Sequence, residues 1–329
     1  IVCRVINGGV ISDRKAINVP GVHLSLPFLS DVDRRDLEFA MKTGFDFFAL
    51  SFVRCAEDVL EVRRLQKEHN NTSKLIAKIE SQEGVENLDA IIDVADGIMV
   101  ARGDMGVEIP FEKVPVVQKD MISKCLKSGK FVIVATQMLE SMTHNPRPTR
   151  AEVNDVANAI FDQTSAVMLS GESAAGDYPV EAVKTMSRIC HEIEKTTTTG
   201  KFEITYNGSN LASSIACAAC SIASVINADA IIPVSLSGST IRKVSGFRPN
   251  INIIGCSTNE RVCRETSLMW GVTPVLITEQ EDGEALINEV INKCKTAGVI
   301  KSGNRVVIVA GFPLRIAGAT NMIRVVDVD

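Results

Sequence analysis

The chain is short of several things, and each shortage removes a class of function. Across 329 residues, 35 Lys and Arg stand against 40 Asp and Glu, a net charge of -5, so there is no cationic excess to coat a nucleic-acid backbone. An anionic ligand must be met by local positive groups. The four histidines, His23, His69, His144 and His191, are far apart, and no second cysteine pair stands at zinc spacing beside Cys217 and Cys220. Nine cysteines, an odd number scattered over a long chain, read as free thiols in a reducing, cytoplasmic compartment and not as a disulfide framework. Cys217 and Cys220 fall in an uncharged Ala- and Ser-rich run, Leu211 to Ile226, which reads as a buried helix before it reads as a redox pair. That run is also the one membrane candidate, and its repeated Ser and lack of flanking cations favour an internal helix. No Met or targeting segment opens the chain at Ile1, so its true beginning is expected upstream.

What is present is alternation. Ile1 to Ile17, with an Asn7-Gly8-Gly9 turn, predicts the end of a small β element, and Asn18-Val19-Pro20-Gly21 leads into a linker. Ser30 is placed to cap a helix from Asp31 to Thr43. Apolar strand-like runs then alternate with helices: Phe45 to Phe52, Leu75 to Ile79, Ile98 to Ala101, Phe131 to Thr136 and Ala166 to Leu169 are strands, and Gly84 to Val94 is one of the helices. Strands that are apolar throughout, separated by helices, predict a parallel sheet. The polar residues collect at the strand carboxyl ends: Ser51 and Arg54, Lys78 and Glu80, Arg102 and Asp104, Thr136 and Gln137, Ser170 and Glu172. A (β/α)8 barrel keeps its active site there, yet only about five βα units can be counted, so the sheet is open or its first strands precede Ile1. After a polar, Thr-rich stretch from Thr196 to Asn210, a second α/β unit follows. The expected fold class is α/β, an incomplete TIM barrel followed by a C-terminal α/β domain, with boundaries at 1–24, 25–197 and 198–329.

Strand geometry turns Lys78 and Glu80 to the same face, with Ile79 opposite, so an ammonium and a carboxylate emerge together. Arg102-Gly103-Asp104-Met105-Gly106 supplies another carboxylate at a strand end, flanked by glycines that let a ligand approach the backbone. Two oxygen ligands and a fixed ammonium suit a hard divalent cation escorting a phosphorylated substrate. Each piece also has a plainer reading: a structural ion pair, an ordinary turn, and for Thr136 a hydrogen-bonded loop residue. Thr149-Arg150-Ala151-Glu152 is a capping box ahead of an apolar helix. Ser235-Leu236-Ser237-Gly238-Ser239-Thr240 follows a strand and precedes a helix, a place where hydroxyls and amides bind phosphate or simply form a turn.

Taken together, the runs Leu75 to Gly84, Met99 to Glu108, Ala135 to Met142, Pro146 to Glu152, Asn154 to Ala159 and Met168 to Glu172 resemble the pyruvate kinase family, in order and over nearly the whole chain. The resemblance implies transfer of the phosphoryl group of phosphoenolpyruvate to ADP, giving pyruvate and ATP, with Mg2+ or Mn2+ and K+. By motif, Lys78 would stabilise the phosphoryl group in flight, Glu80 and Asp104 would hold the divalent ion, and Arg102, Gly103 and Thr136 would complete the substrate site, Thr136 on the face where the enolate is protonated. Lys15 would lie on the nucleotide side. Residues 1–24 would be a remnant of the lid domain, and the K+ ligands would fall ahead of Ile1, which predicts no turnover for a polypeptide that truly starts there. Family members are usually cytoplasmic homotetramers, and no nucleic-acid or membrane partner is implied.

In the second domain the resemblance implies an effector site at Ser235, Ser237, Gly238, Ser239, Thr240 and Arg315. Here the sequence departs, because the loop lacks an arginine and Glu279 to Leu286 lacks the tryptophan and arginine that grip a bisphosphate. A sugar monophosphate, or no effector, is as well supported. Two other functions stay open from sequence: a divalent-metal aldolase or lyase acting on pyruvate enolate, and a non-catalytic effector-binding or assembly module.

Overall fold

A computed structural model describes residues 2–13, 17–22, 25–196, 210–314, 316 and 318–329. The first helix forms where its caps demand it. Ser30 accepts the amide of Asp33, Asp33 accepts the Ser30 amide at 2.9 Å, and α1 (Asp31–Thr43) then ends at Gly44 in the left-handed conformation. From there β1 (Phe47–Leu50), α2 (Ala56–Glu68), β2 (Lys74–Ile79), α3 (Gln82–Glu86), α4 (Leu88–Val94), β3 (Gly97–Ala101), α5 (Arg102–Glu108), α6 (Val114–Lys127) and β4 (Phe131–Ala135) follow. The half closes with α7 (Arg150–Phe161), the two-residue β5 (Ala166–Val167), α8 (Gly171–Ala174) and α9 (Pro179–Thr196). Its five strands are parallel and pair in chain order, β1-β2-β3-β4-β5.

Alternate residues decide the faces of this sheet. Leu75, Ala77, Ile79, Ile98, Val100, Val132 and Val134 join one buried cluster with side chains from α1, α2, α4, α6, α7 and α9. Ile76, Met99, Ile133 and Ala135 form a smaller cluster on the other face. These six helices therefore coat one side, as around a barrel wall, and the opposite face is left to meet the site residues. Burying Leu75, Ile79 and Ile98 completely contributes about 1.5–3 kcal/mol each.

The second half contains α10 (Leu211–Val225), β6 (Ala230–Pro233), α11 (Ser239–Gly246), β7 (Asn252–Ser257), α12 (Glu260–Thr266), β8 (Val272–Leu276), α13 (Gly283–Thr296), β9 (Arg305–Gly311) and β10 (Thr320–Asp327). Strand order is β10-β9-β6-β7-β8, parallel except for β10, and apolar clusters cover both faces. Side chains from this half reach the first. Arg264 forks onto Asp46 at 2.8 and 3.2 Å, and Arg261 donates to the Ser73 hydroxyl. Arg248, 6% exposed, stacks on Trp270 and donates to Ser165 Oγ and the Gln163 carbonyl. Burial pushes its pKa down to about 9, which leaves it charged at neutral pH.

Two expectations are corrected. Residues 2–13 and 17–22 contain no strand, so the predicted N-terminal β element does not form among the described residues: an Asn-Gly-Gly turn needs flanking strands with a face to bury, and these residues are exposed. The helix expected from Gly84 to Val94 is two helices meeting at Asn87, whose side-chain amide donates to the Arg54 carbonyl at 2.9 Å.

Candidate active site

The carboxyl ends of β1 to β4 carry a row of constrained backbones. Phe52, Thr136 and Gln137 have φ of 52°, 66° and 54°, a region that costs a non-glycine residue about 1 kcal/mol or more. Such strain persists only where the surroundings over-determine it. Phe52 shows how: its amide donates to Glu80 Oε2 at 2.6 Å.

Glu80 is 1% exposed, and its other oxygen, Oε1, lies 2.9 Å from Lys78 Nζ. The same ammonium donates to Ser51 Oγ at 3.0 Å. Lys78 is thus held between two acceptors from neighbouring strand ends, with one N–H left to give to a ligand. Gly84 belongs to the same arrangement, since a Cβ there would stand 2.6 Å from the Val53 carbonyl oxygen and push the β1 end away.

Ile79 pairs with Val100, so Glu80 and Asp104 follow adjacent strands, Asp104 in the first turn of α5. Among the described residues the half-buried Asp104 carboxylate takes no hydrogen bond or ion pair. Gly103 has space above it: a Cβ would meet Thr136 at an ordinary 3.6 Å, so protein packing alone does not require glycine there. These donors suit a hard divalent ion. Glu80 keeps lone pairs beyond its two hydrogen bonds, and Asp104 is unengaged. No group of three or more His, Cys, Asp or Glu able to hold a metal occurs among the described residues. A magnesium-type ion commonly takes only one or two carboxylates and completes its shell with water and substrate oxygens.

Arg102 faces inward. Its guanidinium, with the side chain 10% exposed, binds Asp155 at 2.7 Å, the Thr136 carbonyl at 2.6 Å and the Ala135 carbonyl at 3.2 Å. It braces the end of β4 and does not project into the open. The Thr136 hydroxyl accepts the Gly103 amide at 2.8 Å and donates to the Ala135 carbonyl at 2.6 Å. Glu172, fully buried, accepts the amides of Leu139 and Ser170, fixing the loop that follows Thr136. Glu152 does similar work further out. Burial pushes its carboxyl up, but hydrogen bonds from the amides and hydroxyls of Ser141 and Thr149 outweigh this and hold its pKa below the ordinary 4.5.

Lys78, Glu80, Arg102, Gly103, Asp104 and Thr136 therefore share one rim. Lys15 and Arg315 lie outside the described residues. Sequence reasoning assigned no part in the site to Asp155 or Glu172, and missed Ser51 as the partner of Lys78. The strand-end rule had marked Ser51 and Glu172, but nothing local pairs Arg102 with a residue 53 positions on. A cavity of about 1280 Å3 runs beside β1 and α1 and meets this rim at Ser51, Phe52 and Ser81.

In the second half, Gly238 (φ +76°) turns the chain into α11. The Ser235 hydroxyl accepts the Thr240 amide at 3.4 Å, and Thr240 shares a 2.7 Å hydrogen bond with Thr320. Ser237 is exposed and Ser239 half-buried. A cavity of about 70 Å3, room for about two waters, is lined there by Ser235, Thr240, Thr258, Glu279 and Thr320, with no Lys or Arg among the described lining residues. No described helix is long and apolar enough to cross a membrane.

A family model for the pyruvate kinase barrel domain matches residues 1–183, and one for the pyruvate kinase alpha/beta domain matches residues 213–326. A pyruvate kinase of Clostridium acetobutylicum is 46% identical over 329 residues, covering 99% of this chain and 70% of that protein. Pyruvate kinases of Staphylococcus aureus strains MRSA252 and USA300 are 45% identical over 326 residues, 98% of this chain and 56% of theirs. The chain thus spans little more than half the length of the Staphylococcus relatives.

Proposed function

This chain belongs to the pyruvate kinase family, and from that premise we propose that its strand-end rim transfers the phosphoryl group of phosphoenolpyruvate to ADP, yielding pyruvate and ATP. The observation that carries the proposal is the Lys78 ammonium fixed between buried Glu80 and Ser51, one strand away from the Asp104 carboxylate, which no described residue engages. Phosphoryl transfer asks for positioning and charge neutralisation more than covalent help. In the proposed step the bond from phosphorus to the enol oxygen breaks while one to an ADP phosphate oxygen forms, and the enolate carbon then takes a proton.

Lys78 offers its remaining N–H to the transferring phosphoryl oxygens. Glu80 and Asp104 would hold Mg2+ or Mn2+, which would supply further neutralisation of phosphate charge. The substrate carboxylate is received by the backbone at Gly103, which requires the Thr136 hydroxyl to release the Gly103 amide. Arg102 keeps Thr136 in place by holding its carbonyl, and Thr136 orients the proton for the enolate. A role for K+, for Lys15 on the nucleotide side, for a homotetramer and for action in the cytoplasm belongs to the same proposal and rests on family membership. So does the division at 1–24, 25–197 and 198–329, of which the separate matches to 1–183 and 213–326 support only a break between the two larger units.

For the second half we propose a small phosphate-bearing effector at Ser235, Ser237, Gly238, Ser239 and Thr240, with Arg315 as its cation. The small size of the cavity favours a monophosphate over a bisphosphate. Nothing in the comparisons favours the lyase. The decisive assay follows pyruvate formation by the purified protein with phosphoenolpyruvate, with and without ADP. Pyruvate appearing only with ADP, together with equal amounts of ATP, is expected; ADP-independent release of pyruvate would sink the kinase reading.

A further inference from the structure

Nine cysteines occur in the chain, but among the described residues only Cys256 and Cys294 bring their sulfurs into contact, at 3.8 Å. Cys256 lies on β7, paired with Val275, and Cys294 lies near the end of α13. Both are fully buried in the cluster that joins sheet and helix. Cys217 and Cys220, the pair that spacing alone singles out, sit three residues apart on one helix.

We propose that Cys256 and Cys294 are a modification site, a dithiol that a hydroperoxide closes to a disulfide, tying α13 to β7. Sulfur atoms at 3.8 Å need to approach by less than two bond lengths to reach a bond of about 2.05 Å. The two thiols share this contact inside an apolar cluster, where the partner sulfur and burial push the Cys256 thiol well above its ordinary pKa. Either sulfur can make the first attack as its thiolate. With Cys294 attacking, its sulfur bonds to one peroxide oxygen, the O–O bond breaks and hydroxide leaves. The Cys256 sulfur then displaces the second hydroxide from the sulfenic acid of Cys294, forming the S–S bond. The two thiol protons end in two waters, the dithiol loses two electrons, and the peroxide gains them. A peroxide is small enough to enter during local opening of a buried helix face.

The bond has a geometric consequence. Leu286 of α13 and Thr258, two residues past Cys256, both line the 70 Å3 cavity, so the crosslink holds two of its walls at one separation. The site stands independently of the catalytic reading.

The test treats the purified protein with hydrogen peroxide, blocks remaining thiols under denaturing conditions and maps the peptides by mass. A crosslinked peptide pair joining Cys256 to Cys294, lighter by two hydrogens and split by dithiothreitol, is the expected result. Cys294→Ser, or Cys256→Ala if the first folds poorly, must abolish it. In the oxidised protein, amide exchange across Gly283–Thr296 should slow several-fold. Recovery of Cys256 and Cys294 as blocked free thiols, sulfinic acid at either, or a crosslink from either to Cys263 would overturn the proposal.

Discussion

The two halves of the molecule build the same piece of architecture and furnish it differently. Each has parallel strands whose carboxyl ends run through a loop into a helix, at Lys78 to Asp104 in one and at Ser235 to Thr240 in the other. The first is furnished with full charges, two of them held by an opposite charge: Lys78 by the buried Glu80, Arg102 by the half-buried Asp155. The second is furnished with hydroxyls that bond one another, Thr240 to Thr320. Charges pinned in this way are already oriented for a reaction that moves negative charge. Neutral hydroxyls recognise a group without acting on it, and they can be removed at small cost.

That contrast can be broken in order of expected effect. Lys78→Met should lower phosphoenolpyruvate-dependent turnover by about 10²–10³, the range seen when one preorganised donor to a developing charge is lost. A variant retaining near-normal kcat would show that the ammonium is structural. Glu80→Gln should weaken Mn2+ binding, measured by titration calorimetry, at least about tenfold. Unchanged metal affinity would leave Asp104 or another group as the ligand. Thr240→Val should cost about 1 kcal/mol of stability in a denaturant titration and leave basal kcat alone. If Thr240→Val cut kcat as deeply as Lys78→Met, the distinction between the two sites would fail.

The smallest effect concerns pH. The folded Glu152 carboxyl has a pKa below 4.5, so the stability it contributes is fully present above about pH 4.5 and is lost as pH falls through the lower folded value. Glu152→Gln should therefore unfold with a shallower pH dependence below 4.5 than the parent. Identical slopes would mean the four hydrogen bonds from Ser141 and Thr149 add nothing in the folded state.

Much of this was legible in one dimension because it is periodic. Side-chain alternation put Lys78 and Glu80 on one face, and the capping signals at Ser30 and Thr149 marked helix starts that the structure repeats. Contacts set by topology were not legible. Arg102 meets Asp155 and Arg264 meets Asp46, pairs separated by 53 and 218 residues, and no local pattern encodes either. The predicted N-terminal β element failed for the complementary reason: strands need a neighbouring face to cover, and residues 2–13 are exposed. The break at Asn87 likewise depends on the Arg54 carbonyl, 33 residues away.

The left-handed pair at Thr136 and Gln137 carries a last consequence for anyone who would engineer this protein. A glycine at 137 would sit there at ease, so Gln137→Gly should raise the melting temperature by relieving strain worth about 1 kcal/mol. The same relaxation would let the Thr136 hydroxyl wander from the Gly103 amide, so thermal robustness and catalytic speed should trade against each other at this one turn. Calorimetry and a turnover assay on that single variant would reveal the bargain, and a variant that gained both would refute it.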